Sequence, residues 1–409
     1  MFLFEKPKFF GVFFESYTRY VFGPYSHTSI LLVFGLCFAL ILYFVPQKHK
    51  PKAILTAGFL FAGMSAPLFY FLVFFILILL MYLLSNYAFP SRGWIFWTVE
   101  VFMLTHPILF NRLFGYYSTF YAFAAYYTAY RSIHYYVDVT QGSLEKCRFI
   151  DYISYMFYFP TISHGPIERI ENLKIQGIEK QNVAFGVKRI LTGISKYLVL
   201  VYFLNGIIET PFSFGNFFGW LVFTAYVNAV KFYLLFSGDI DIVIGLSALM
   251  GFKVSENFPK FPYLQTNLTK FWQNWQATIV NWLTAYVYFP LCRNRRHVYL
   301  KTMLIIMIIG WAHLLYTPEI VQFQNVGQFA DFVLYYTLWG IFLGGTLAIS
   351  KVLNKKKMEN RETIIQSHPL LAKMLFSEGR VMNAVNTFIT FNIIAIGWLS
   401  PLYILIKQF

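Results

Sequence analysis

Residues 53–89 read AILTAGFLFAGMSAPLFYFLVFFILILLMYLLSNYAF, without one Asp, Glu, Lys or Arg. A single helical membrane crossing needs only about 20 such residues. Pro67 stands near the middle, so the stretch reads as two spans or one deeply broken helix. Outward from it the same pattern recurs. Residues 29–45 form another apolar run, 302–316 a shorter one, and 381–406 a last long one with Gly397 and Pro401 placed to bend it. Less pure segments lie at 94–110, 114–130, 150–165, 185–208, 216–250, 271–291 and 330–350. Together they predict about 10–12 membrane-embedded helices, some broken or re-entrant. Transmembrane barrel strands would alternate apolar and polar residues, and these runs do not. The expected fold is therefore an all-α polytopic membrane protein.

Composition agrees. The 409-residue chain is 58% hydrophobic and 12% charged, whereas soluble domains carry about 25% charged residues to hydrate their surface. Hydrocarbon has to cover most of this surface. Aromatic residues reach 21%, which suits lipid-facing helices and interfacial belts. The net charge of +15 sits largely in short loops: Lys48, Lys50 and Lys52; Arg293, Arg295, Arg296 and Lys301; Lys351, Lys355, Lys356 and Lys357. Such clusters mark the cytoplasmic side, placing the N-terminus outside, and contact anionic lipids. A docking patch for an acidic carrier protein is the alternative reading. No nucleic-acid partner is expected.

Cys37, Cys147 and Cys292 are scattered thiols with neither a disulfide framework nor metal-ligand spacing, so no metal is expected. No cleavable signal peptide precedes the first span, and residues 1–25 suit an interfacial helix. The chain reads as one domain, 1–409, without repeats.

Chemistry is sought where polarity survives inside apolar segments. Four blocks stand out. The first runs from Tyr130 to Asp138 and holds Arg131 and His134. The second, FPTISHGPIER, runs from Phe159 to Arg169 and holds His164. The third runs from Tyr233 through Phe236-Ser-Gly-Asp-Ile-Asp241 to Gly245, and continues to Met250-Gly-Phe252 and Glu256-Asn257-Phe258. The fourth runs from Phe271-Trp-Gln-Asn-Trp-Gln276 through Trp282 to Leu291, ahead of His313 in an apolar helix.

In this order and spacing the blocks resemble the membrane-bound O-acyltransferase family over roughly residues 125–345. The chain is similar in particular to the bacterial branch that D-alanylates teichoic acids and O-acetylates alginate. The resemblance implies helices around a central funnel or tunnel, with an acyl group moved from a thioester to an alcohol. His313 occupies the place of the histidine held essential in that family, although Ala312 and Leu314 flank it where Trp and Gly are usual. Gln276 stands where many members carry a second histidine.

Acyl transfer needs a base at the attacking hydroxyl and a donor at the developing oxyanion. His313 is expected to be that base. Gln276 cannot take a proton, and is expected to hydrogen-bond the carbonyl oxygen or orient the acceptor. Asn274, Thr278 and Asn281 would share one helical face at i, i+4 and i+7 and line the tunnel, with Trp275, Trp282 and Trp311. Asp241 is expected in a structural salt bridge with Arg131, Arg169 or Lys231. The resemblance implies no cofactor beyond a co-substrate, an acyl carrier protein or acyl-coenzyme A on the cytoplasmic side. The acceptor would be an extracytoplasmic polymer or an accessory transferase, with the enzyme multi-pass in the plasma (inner) membrane. Two alternatives stay open. One is a transporter using Asp239, Asp241 and Lys231 as a coupled site; the other is an inactive relative of the acyltransferases.

Overall fold

The computed structural model describes residues 27–87, 93–114, 119–173, 180–209, 217–294, 296–316, 326–367 and 379–399. The expected interfacial segment 1–25, Arg295 and Pro401 lie outside the described residues. Among those described, all regular structure is helical. In chain order α1 is His27–Phe44, α2 Lys50–Met64, α3 Leu68–Tyr87, α4 Gly93–Phe114, α5 Thr119–Thr140, α6 Phe149–Met156, α7 Lys180–Ser195 and α8 Tyr202–Glu209. There follow α9 Phe217–Leu249, α10 Leu268–Asn274, α11 Ala277–Leu283, α12 Phe289–Cys292, α13 Val298–Tyr316, α14 Val326–Glu359, α15 Arg361–Ser367 and α16 Arg380–Leu399.

Among the described residues four helical stretches are long and apolar enough to cross a membrane: Leu68–Tyr87, Gly93–Phe110, Tyr226–Leu249 and Val333–Glu359. The shorter apolar helices are Thr28–Phe44, Ala277–Cys292 and Val298–Trp311. The protein is an all-α polytopic membrane protein. Around Pro67 the chain takes the two-helix option, since α2 ends at Met64 and α3 starts at Leu68. Helix α3 shows how a charge-free helix is used. Phe74, Leu77, Ile78 and Met81 are buried, while Leu72, Ile76, Leu80 and Leu83 form an exposed stripe. A bare apolar stripe of this kind faces lipid.

The chain divides into two compact units. The first comprises residues up to Leu200 together with Leu234–Glu256 and Tyr316–Gln322. Its framework is α3, α4 and α5, whose contact is tightened where Tyr121 Oη donates to the Tyr70 carbonyl at 2.9 Å. Helix α2 packs so closely that a Cβ on Gly58 would lie 2.0 Å from the Phe157 carbonyl oxygen. Helix α7 and the Leu234–Leu249 half of α9 meet through two glycine pairs, Gly186 with Gly245 and Gly193 with Gly238. Small residues let backbones approach in membranes, where hydrocarbon offers no hydrophobic drive between helices.

The second unit comprises Val201–Tyr233, Asn257–Leu315 and Phe323–Phe409. In it α13 and α14 are fastened by the same device at successive turns. Gly344 meets Met303, Gly340 meets Met307, and Gly310 meets the Tyr336 carbonyl. Trp311 Nε1 then donates to Thr337 Oγ1 at 2.9 Å. Helix α16 joins this pair where Gly397 abuts Leu343.

Candidate active site

Residues 271–291 do not form one crossing. Helix α10 is capped by Asn267, whose Oδ1 accepts from the Lys270 N–H at 2.8 Å. It stops at Asn274 because the next residue, Trp275, sinks into an aromatic cluster. The indole lies parallel to Phe271 at 5.6 Å and meets Phe258 edge-on at 5.5 Å, with Tyr263 at 6.0 Å. Gln276 then adopts φ 49°, ψ 49°, the left-handed region, before α11 restarts at Ala277. Left-handed backbone costs a non-glycine residue about 1–2 kcal/mol, and such strain gathers at functional sites. A π-helical turn, Thr284–Tyr288, follows within the same motif.

This break corrects the expected i, i+4, i+7 face. Asn274 ends one helix, whereas Thr278 and Asn281 stand on the next. Asn274 Nδ2 donates to its own Lys270 carbonyl at 2.8 Å, and Asn281 is exposed. Trp275 is buried in the cluster above, Trp282 rests against Tyr286 at 5.4 Å, and Trp311 ties α13 to α14. His313 lies on α13, with its side chain outside those described.

Gln276 and Thr278 are brought together by Asn257, a fully buried residue to which the motifs alone attach no role. Asn257 Oδ1 accepts from the Thr278 N–H at 3.3 Å and from Thr278 Oγ1 at 2.5 Å. Asn257 Nδ2 donates to Gln276 Oε1 at 2.8 Å. The Asn257 carbonyl accepts from the Ala277 N–H at 2.9 Å. One residue thus holds the whole 276–278 turn. The signal for it is its place in the E-N-F motif, between Glu256 and Phe258.

The first unit gathers the remaining motif residues. Asp241 forms its salt bridge with Arg189 at 2.7 Å and Lys196 at 2.6 Å, in place of the expected Arg131, Arg169 or Lys231. Arg189 also reaches Glu256 at 2.8 Å, and Lys196 donates to Ser237 Oγ at 3.0 Å. Both cations lie on or just past α7, whose polar face no motif highlights. Asp239 accepts from Thr28 Oγ1 at 2.9 Å. Arg131, wholly buried, donates to the carbonyls of Tyr155 at 3.0 Å and Thr161 at 2.6 Å, and to Thr161 Oγ1. It thereby closes the C-terminal end of α6 and fixes the turn of the second motif. Arg169 lies 3.7 Å from Asp138, which also holds His134 at 3.1 Å. Glu168 accepts from the Ser255 N–H and, at 3.1 Å, from Ser255 Oγ. Among the described residues no group of His, Cys, Asp and Glu is placed to hold a metal ion.

The chain is related to bacterial acyltransferases of the membrane-bound O-acyltransferase type. It is 27% identical over 313 residues to a probable alginate O-acetylase of Pseudomonas aeruginosa, a match covering 73% of this chain and 50% of that protein. It is 23% identical over 290 residues to a teichoic acid D-alanyltransferase of Streptococcus thermophilus, covering 67% of this chain and 66% of that one. A peptidoglycan O-acetyltransferase of Helicobacter pylori is 28% identical over 179 residues, covering 40% of this chain and 33% of the relative. The matches span about half the length of the alginate O-acetylases. No family model matches the chain.

Proposed function

We propose that this protein is an acyltransferase of the plasma membrane. It moves an acyl group (acetyl, D-alanyl or similar) from a cytoplasmic thioester, on a carrier protein or coenzyme A, to a hydroxyl of an extracytoplasmic polymer. The observation that carries the proposal is the similarity across most of the chain to enzymes named for acyl transfer to alginate and teichoic acid.

In the proposed reaction the acceptor oxygen attacks the thioester carbonyl while His313 takes its proton. Gln276 hydrogen-bonds the reacting carbonyl oxygen or orients the acceptor hydroxyl, and a tetrahedral oxyanion forms. Its collapse breaks the carbon–sulfur bond, and the thiolate recovers a proton from the His313 imidazolium. The polar groups of the first unit have a different part, because Asp241 already carries two cations. That neutralisation favours a helix fastener over the coupled ion site a transporter would need.

The test is mass spectrometry of base-released acyl groups from surface polymers of cells with and without this protein. Loss of one acyl species on deletion supports the reading. An unchanged acyl profile overturns it.

A further inference from the structure

The orientation of the Gln276 amide is dictated by a group that cannot turn over. A backbone N–H can only donate, so the Thr278 N–H, 3.3 Å from Asn257 Oδ1, makes that atom the oxygen. Asn257 Nδ2 is then the donor side, and it faces Gln276 at 2.8 Å. The Gln276 atom facing inward must be Oε1, since two NH2 groups cannot bond each other. The Nε2 amino group is thereby directed away from Asn257. The partners of Asn257, not space around Gln276, hold this orientation. Asn257 is 0% exposed, its carbonyl holds the Ala277 N–H at 2.9 Å, and Trp275 anchors the other side of the left-handed Gln276 backbone.

We infer that Asn257 is a positioning residue that presents Gln276 to substrate as a hydrogen-bond donor and never as an acceptor. The inference rests on the acyl-transfer reading and narrows it. Of two roles open to Gln276, an outward NH2 suits the oxyanion, which can only accept, and it could orient the acceptor hydroxyl only by donating to that oxygen. It also accounts for the strained backbone. Gln276 takes its left-handed conformation between the buried Trp275 and the start of α11. The strain is held in place by the four hydrogen bonds that Asn257 makes to residues 276–278.

Asn257→Asp isolates the effect. A carboxylate still accepts from the Thr278 N–H and hydroxyl, but offers no donor to Gln276. The amide then turns its NH2 inward and its oxygen toward the substrate. The readout is the polymer-bound acyl group per unit of membrane protein, in cells carrying the full-length chain. Gln276→Ala should lower it about 10²- to 10³-fold, as removal of an oxyanion donor does. Asn257→Asp should lower it as far, and Asn257→Asp combined with Gln276→Ala no further, because both act through one amide.

Gln276→Glu keeps the inward oxygen, replaces the outward NH2 by a second oxygen, and should match Gln276→Ala. It leaves the buried Asn257 untouched, so it decides the matter even if Asn257→Asp does not accumulate. Near-wild-type transfer by Gln276→Glu or by Asn257→Asp overturns the inference, as does a double variant whose loss is the product of the single losses. If wild-type cells carry no such acyl group, the acyl-transfer reading falls and the inference falls with it.

Discussion

Asp241 lies between two glycine contacts of α7 and α9, with Arg189 Nη2 2.7 Å from its carboxylate. Along α7 the order is Gly186, Arg189, Gly193; along α9 it is Gly238, Asp241, Gly245. The glycines bring the two backbones close enough for a buried carboxylate to meet a cation at hydrogen-bond distance. Packing and ion pair depend on one another.

Asp241→Asn should therefore act through folding. Removing one partner of a buried ion pair costs about 3–5 kcal/mol, because the other charge stays behind. The amount of monodisperse protein recovered from membranes should fall, and so should its Tm. Any protein that does fold should transfer at near-normal rate. A normal yield with lost transfer would place Asp241 in the chemistry instead.

Gly58→Ala tests the tightest approach in the first unit. The added methyl would stand 2.0 Å from the Phe157 carbonyl oxygen, a backbone atom that cannot swing aside. Overpacking of this kind costs about 1–3 kcal/mol or more. Thermal unfolding in detergent should show a clear loss, whereas Gly63→Ala, at a site with nothing within 4 Å, should show none.

Arg131→Met should be equally severe. The guanidinium is wholly buried and satisfies the Tyr155 and Thr161 carbonyls, and each buried acceptor left unmade costs about 1–3 kcal/mol. Limited proteolysis of membranes should cut near residues 157–165 in the variant and spare the wild type. Equal resistance in both would mean the second motif holds its turn without Arg131.

His313→Ala should lower transfer about 10²- to 10⁴-fold while the protein still accumulates, the usual range for a lost general base. The measurement is acyl ester per unit of protein. Retention of near-normal specific activity would remove His313 from the mechanism and turn attention to His164, which pairs with Ser163 Oγ at 3.0 Å.

What the sequence made legible follows from what repeats along it. Residues 53–89 are apolar at every register, so helices there need no tertiary information, and Pro67 marks their boundary. The polar blocks were also visible, because any polar residue in such surroundings stands out. Residues 271–291 looked like one crossing because Trp, Phe and Tyr satisfy helix and aromatic cluster alike. Only the packing of Trp275 against Phe271, Phe258 and Tyr263 decides for a break at Gln276. The partners of Asp241 were misassigned for a similar reason. Arg189 and Lys196 lie about 50 residues upstream in a helix whose polar face resembles any solvated one. Asn257 stood in a recognised motif, but its role depends on contacts with residues about 20 positions away.

The 34-residue helix α14 has a geometric consequence of its own. At about 1.5 Å per residue it is roughly 51 Å long, well beyond a hydrocarbon layer of about 30 Å. That excess length lets the end carrying Lys355, Lys356 and Lys357 reach beyond such a layer, and Lys351 Nζ sits 5.0 Å from the Tyr288 ring centroid, a cation and an aromatic suited to the water boundary. Thr337, the anchor of Trp311, lies about 21 Å further along the same rod. The helix therefore works as a depth gauge. On the acyl-transfer proposal, a donor offered at the level of Lys351 would need an arm of roughly 20 Å to draw level with Trp311. On the same proposal, with the layer of about 30 Å beginning at Lys351, an acceptor from the opposite boundary would have roughly 10 Å to cover.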